Sequence, residues 1–351
     1  MDNTFNYTTT EQQIQKLKSQ SLTFENEEIA KQILQTYGYY NIINGYRDPY
    51  IIREGNQKKY SSDVTFEQIF ALFSLDHEIR DSVLLAMIDL EEHLRAVVAD
   101  IIAEDFGSDY PQYLQKNNYR DRHVNNPNFR RNKILDGMVN TARTSNTQPI
   151  KYYREHHGII PPWILLKGTN FGTLVNFIKF FKSAQRNKLI VALYGDSISE
   201  NDFDTYKDLL SDTLFTCLEY RNLAAHGGRI YNYIPSCNIR CMESSGIKKG
   251  LPQFIAVLEQ FQYKQPSGRI NDSLMRALNT YCPHYPSDLE RLEKVIGFKI
   301  IKKHYVWANQ KTKKMHSTPH CSGSSNCVHI SYDEAFEKGF LPCKKCFRNL
   351  P

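Results

Sequence analysis

The stretch TFEQIFALFSLDHEIRDSVLLAMIDLEEHLRAVVADIIAEDFG, residues 65–107, decides how the rest of the chain is read. Phe66, Ile69, Phe70, Phe73, Ile79, Val83, Leu84, Met87, Ile88, Leu94, Val97, Val98 and Ile101 recur at intervals of three and four, the repeat of a helix with an apolar face. Thr65 with Gln68 offers a capping box at the start, and Gly107 offers a stop. One long helix, or two joined by a kink, is predicted.

On the N-terminal side, Ile14, Leu17 and Leu22 mark one helical face, and Ile29, Ile33 and Leu34 mark another. Residues 37–51 break the pattern with tyrosines, Gly38, Gly45 and Pro49, and read as a turn and an irregular connection. On the C-terminal side, residues 107–159 are polar and weakly periodic, an insertion with short helices and a basic face. Helical patterns return at residues 159–181, 204–225, 252–261, 271–281 and 287–296. The expected organisation is a helical segment over residues 1–60, a helical domain over 61–298 with the basic insertion at about 108–158, and a small separate module over 299–351. The fold class is mainly α.

The 351 residues carry a formal net charge of +6, a mild basic bias compatible with a polyanionic partner. No basic segment followed by an apolar core opens the chain, and no run of about 18 apolar residues occurs, so a cytoplasmic protein without a membrane span is expected. In a reducing compartment its 8 cysteines need an explanation other than disulfides.

A second stretch, EYRNLAAHGGRIYN at residues 219–232, bears on chemistry. Arg221 and His226 stand five positions apart at the end of an apolar helix, before two glycines. Metal-free RNA cleavage needs proton transfer to and from ribose and leaving oxygens, which histidine supplies, and a cation on the phosphorane, which arginine supplies. Five residues turn through about 500°, some 140° past one full turn, so both side chains reach one cleft only if the helix end loosens. His226 is the one histidine with an arginine five to seven positions upstream, so a mechanism needing two such pairs calls for a homodimer.

RNLAAH resembles the Arg-x4–6-His signature of HEPN ribonucleases. TTEQQIQKLKSQSLTFENEEIAKQILQTYGYYNIINGYRDPY, the long helix with its D-x3-R and E-x3-R elements, and PPWILLKGTNFGTL resemble three further segments of the Abi-like (abortive infection) proteins, in the same order. The resemblance implies a HEPN-like helical bundle that dimerises around a composite RNA-cleaving cleft. It also implies a toxin-like role in phage defence and a structured non-coding RNA as partner. Arg221 and His226 become the catalytic candidates and Asn222 their support. Asp76, Arg80, Glu91 and Arg95 match polar positions that can face such a cleft. Their spacing is explained as well by intrahelical pairs, Asp76 with Arg80 and Glu91 with Arg95.

Residues 315–347 hold four of the eight cysteines. Cys343 and Cys346 form a C-x2-C bite, and His316 and Cys321 would complete a tetrahedral structural Zn²⁺ site, with His320 or Cys327 as alternative ligands. This stretch resembles the small Ada-like zinc-binding module, although the His316–Cys321 spacing is one residue longer and Phe340 stands where that module has tyrosine. Candidate RNA contacts are Arg120, Arg122, Arg130, Arg131 and Lys133 in the insertion. Lys302, Lys303, Trp307, Lys311, Lys313 and Lys314 add others before the cysteines. The expected function is a metal-independent endoribonuclease of a phage-defence or toxin–antitoxin system. The alternative is a non-catalytic binder of a structured RNA that uses the insertion and the zinc module.

Overall fold

The computed structural model describes residues 7–54, 57–298, 305–316, 321 and 326–345. The fold is mainly α-helical with a small C-terminal α+β module. Its axis is one unbroken helix, Phe66–Phe106, of 41 residues, about 60 Å long at 1.5 Å per residue. Thr65 caps it, its hydroxyl accepting from the Gln68 amide at 3.1 Å. The capping box is only half made, because the Gln68 side chain turns inward to donate to Asp288 at 3.0 Å. A full box closes instead between Thr9 and Gln12, at the start of helix Thr10–Ser19. Gly107 ends the central helix with φ of 84°, a conformation that side-chain-bearing residues adopt at a cost.

Helix Gln265–Tyr281 runs along the central helix, and Phe203–Ala225 and Ser183–Tyr194 pack on its other sides. Ile69, Ile79, Val83, Met87, Leu94 and Val98 are fully buried between them. The periodic pattern overreached at Ile88, which is exposed, and at Ile29 on helix Glu27–Tyr37, also exposed.

The connection expected to be irregular at residues 37–51 and the weakly periodic insertion both carry more order than the sequence pattern indicates. Residues 37–60 contain a π-helical turn, Tyr40–Asn44, and an antiparallel hairpin of β1, Ile51–Glu54, and β2, Gln57–Tyr60. This hairpin was missed within a segment read as helical. Tyr50 and Tyr60 are buried in the main core together with Ile14, Leu17 and Leu34. Asp288 gathers Tyr50 Oη at 2.8 Å, Gln68 Nε2 at 3.0 Å, Tyr281 Oη and the Arg291 guanidinium, tying residues far apart in sequence. Hydrogen bonds from these partners outweigh the effect of burial and hold the Asp288 carboxyl below its usual value. The polar insertion likewise joins the core: helix Arg131–Thr144 buries Ile134, Leu135, Met138 and Ala142.

The C-terminal module is a four-stranded sheet in the spatial order Cys327–Ser331, Tyr305–Asn309, Lys314–His316, Leu341–Pro342. Its strands are β3, Tyr305–Asn309; β4, Lys314–His316; β5, Cys327–Ser331; and β6, Leu341–Pro342. β3 pairs antiparallel with β4 and β5, and β4 pairs parallel with β6. Among the described residues, helix Tyr332–Glu337 covers a core of Val306, Ala308, Met315, Ala335 and Phe340, with Ile330 and Tyr332 packed against it. A module of this size, with so small an apolar cluster among its described residues, gains from another source of stability.

Candidate functional site

Helix Phe203–Ala225 carries the Arg–His pair at its C-terminal tip. The helix end does not loosen. His226 is the cap residue, Gly227 follows with φ of 72°, its amide donates to Ala224 O at 3.2 Å, and the Gly228 amide donates to Leu223 O at 2.8 Å. This is a closed Schellman motif, and it explains both glycines. Gly227 supplies the left-handed conformation. Gly228 supplies room: a Cβ there would stand 2.2 Å from Leu223 Cδ1 and 3.1 Å from Leu223 O.

Because the helix stays regular to its end, the pair is splayed. His226 is exposed and borders a hollow of about 440 Å³ with Tyr40, His77, Arg80 and Arg229. Arg221 does not line that hollow. It is half-buried, it reaches Asn222 Oδ1 at 3.5 Å, and its Nε is shielded without a hydrogen-bond partner. Its charge acts on Glu91 of the central helix. Asn222 is exposed beside it.

The four polar positions of the central helix divide. The expected Asp76–Arg80 pair does not form. Asp76 is fully buried and accepts from the Ile230 amide at 2.9 Å, the Tyr231 amide at 2.6 Å and Tyr46 Oη at 2.5 Å. Burial raises its carboxyl against the pull of these donors. Arg80 is released to donate to Gly227 O at 3.3 Å, under the glycine turn. Glu91 and Arg95 do pair, one helical turn apart. Arg95 also donates to Thr169 O at 2.7 Å and so holds the GTN turn that precedes helix Phe171–Ile178. Burial raises the Glu91 carboxyl against the pull of Arg95 and Arg221.

Glu219 was not singled out from the sequence, yet it organises the chain beyond the tip. It accepts from Tyr233 Oη at 2.7 Å, the Ser236 amide at 2.7 Å, the Ser236 hydroxyl and the Cys237 amide at 3.0 Å. Asp212, one helical stretch earlier, accepts from the Arg240 amide and guanidinium at 3.0–3.1 Å. Arg229, His77 and Tyr40 were also missed. Arg229 lies within the quoted motif, but only the folded turn shows that it donates to Gly45 O at 2.5 Å and borders the same hollow as His226.

The expected RNA-contact residues are scattered. Arg122, Arg130 and Lys133 are exposed. Arg131 is turned inward, bridging to Asp121 at 3.2 Å and donating to Tyr119 O at 3.2 Å. Arg120 is half-buried, its Nε donating to Lys179 O at 2.9 Å. Lys311, Lys313 and Lys314 are exposed at the β3–β4 turn, and Trp307 packs its ring 4.6 Å from that of His329. Lys302 and Lys303 lie outside the described residues.

In the C-terminal module the ligand atoms of His316, Cys321 and Cys343 lie within 4.8 Å of one another. Parallel pairing of β4 with β6, extended by the Cys343 amide donating to Met315 O at 2.9 Å, brings Cys343 beside His316. Both are buried. Thiolates on one tetrahedral zinc stand about 3.8 Å apart, so this soft, preassembled set fits such an ion with little adjustment. Cys327 is not among the three, and Cys346 and His320 lie outside the described residues. Among the described residues no helix is long and apolar enough to cross a membrane.

No curated protein and no solved structure matches the chain. The family model described as Abi-like protein matches residues 32–232, a span that runs from helix Glu27–Tyr37 through the central helix to the turn beyond His226. That span is more than half of the 351 residues, and the chain belongs to the Abi-like protein family.

Proposed function

We propose that this chain is the RNA-cleaving effector of an abortive-infection defence system, with a HEPN-type site built from Arg221 and His226 of two copies and controlled by a structured RNA. Membership of the Abi-like family supports the defence role. The observation that carries the site is His226, exposed on a rigid Schellman tip with Arg80 and Arg229 beside it.

The chemistry follows from the residue types. A base takes the proton from a ribose 2′-hydroxyl, the oxygen attacks the adjacent phosphorus, and the P–O5′ bond breaks as an acid protonates the leaving oxygen. His226 serves in proton transfer, and the second copy supplies the second imidazole. Arg221 holds the non-bridging oxygens as charge grows on phosphorus. In one chain Arg221 faces Glu91 rather than the hollow, so joining two tips is the step that brings guanidinium and imidazole to one phosphate. Zinc, held by His316, Cys321 and Cys343 with Cys346 as fourth ligand, would fasten the module of residues 299–351 and take no part in cleavage.

The test is RNA cleavage in EDTA with analysis of the new ends. Products with 2′,3′-cyclic phosphate and 5′-hydroxyl termini are expected, with a loss of about 10²–10⁴-fold in His226→Ala and Arg221→Ala. A Mg²⁺ requirement, or full activity in both variants, would refute the mechanism. The splay of Arg221 toward Glu91 also favours a second reading, RNA binding without turnover. Under that reading purified protein freed of RNA cuts nothing, and both variants only weaken binding.

A further inference from the structure

We propose that a second pocket, apart from the helix tip, binds the phosphate end of a nucleotide. Arg120 and Arg122 reach it from the insertion, Lys179 from the end of helix Phe171–Ile178, and Arg186 from helix Ser183–Tyr194. Val175 and Phe215 supply an apolar wall to a cavity of about 280 Å³. This is the low end of the range for small-molecule sites, the size of one nucleotide and not of a polymer.

Charge argues for an anion here. Lys207 and Arg240, which also border the cavity, are already paired with Asp204 and with Asp208 and Asp212. Arg120, Arg122, Lys179 and Arg186 have no carboxylate in ion-pair range among the described residues. Arg186 Nε is shielded from solvent and has no hydrogen-bond partner. Burial, and the charge of Arg122, push the Lys179 ammonium down to about 8. Burial, Arg186 and Arg122 likewise lower Arg120. Three partly desolvated cations, Arg120, Lys179 and Arg186, crowded beside the exposed Arg122, oppose folding unless a counter-charge enters. Backbone and ring contacts hold the cluster in place: Arg120 Nε on Lys179 O, and Lys179 Nζ 3.9 Å from the Phe215 ring centroid. Guanidinium forks suit phosphate oxygens, and the apolar wall suits the body of a nucleoside. The shared chemistry is a phosphomonoester on a nucleoside, from a free nucleotide or from the 5′ end of an RNA. The proposal stands independently of the nuclease reading.

Calorimetric titration of the full chain, freed of nucleic acid, tests it with nucleoside 5′-monophosphates, the matching nucleosides, inorganic phosphate, and short RNAs with 5′-phosphate or 5′-hydroxyl ends. One saturable site per chain for a 5′-phosphorylated probe is expected, at least tenfold weaker for its unphosphorylated partner. A further loss of at least tenfold is expected in Lys179→Met and in Arg122→Gln; Arg122 is exposed, so that variant keeps its fold. Binding of the mononucleotide identifies a free nucleotide as ligand, and binding confined to 5′-phosphorylated RNA identifies an RNA end. The proposal is overturned by absence of saturable binding, by equal affinity for 5′-hydroxyl RNA, by affinity no better than that for inorganic phosphate, or by indifference to Arg122→Gln.

Discussion

Two acid–base pairs on the central helix, Asp76 with Arg80 and Glu91 with Arg95, have the same spacing and opposite fates. Glu91 and Arg95 meet across one turn and together hold the Thr169 turn. Asp76 ignores Arg80 and takes two backbone amides from the chain that returns beneath the helix tip, while Arg80 moves to a carbonyl of the glycine turn. Spacing permits an ion pair; burial and competing donors decide whether it forms. A fully buried carboxylate with three donors in reach gains more from them than from one half-solvated guanidinium. The Asp76 end of the helix thereby becomes the clamp for the candidate site, and the Glu91 end becomes a brace for the neighbouring helix.

Removing each clamp should expose this asymmetry. Asp76→Ala leaves the Ile230 and Tyr231 amides and Tyr46 Oη buried without acceptors, a loss of about 3 kcal/mol or more. A fall in Tm larger than that of any other single change named here is expected, and a Tm within experimental error of the wild type would contradict the clamp. Glu91→Ala removes one partner of a half-buried pair and should cost about 2 kcal/mol, with loss of amide protection at the start of helix Phe171–Ile178 and none at the tip. Protection lost equally at both places would show that the two ends are not distinct.

The glycine pair sharpens the comparison at the tip itself. Gly228→Ala drives a Cβ into Leu223 and should cost about 1–3 kcal/mol. Gly227→Ala meets open space and carries only the left-handed backbone penalty, about 1 kcal/mol. Equal losses in denaturant titration would mean that crowding against Leu223 is relieved by side-chain movement.

The smallest effect is a pH response. Burial raises the Glu219 carboxyl, but hydrogen bonds from Ser236, Tyr233 and the Ser236 and Cys237 amides outweigh it, so the group lies below its ordinary value of 4.5. A lowered carboxyl contributes stability that is complete above the unfolded value and is lost as pH falls through the folded one. Protection of the Ser236 and Cys237 amides, taken relative to their intrinsic exchange rates, should therefore be full at neutral pH and fall below about pH 4.5. Protection at Ser236 that is constant throughout acidification would remove Glu219 as its holder.

Much of this architecture was legible in the chain. The three–four repeat from Phe66 to Ile101 marked the central helix, and Thr65 and Gly107 marked its ends within a residue. Leucine spacing and the glycine pair located the tip helix and its stop. What the sequence concealed was long-range partnering. Gln68 looks like half of a capping box until Asp288 enters from 220 positions away. Asp76 looks like the partner of Arg80 until residues 230 and 231 fold back. The hairpin at Ile51–Tyr60 lacks clean alternation, because Tyr50 and Tyr60 are buried by the helices around them and not by a sheet face. At the candidate site, Arg221 and His226 were visible as a spacing, and their splay follows from a helix that stays regular to its last residue. Arg80, Arg229 and His77 join His226 only through the fold.

The central claim is that two tips form one site, and a mixing experiment tests it directly. Wild-type chain is co-assembled with rising proportions of His226→Ala chain, and RNA cleavage is measured with substrate in excess. If two copies share each site, activity per wild-type chain falls in proportion to the wild-type fraction. Activity per wild-type chain that stays constant at every mixing ratio would mean that each tip works alone, and the shared site would have to be abandoned.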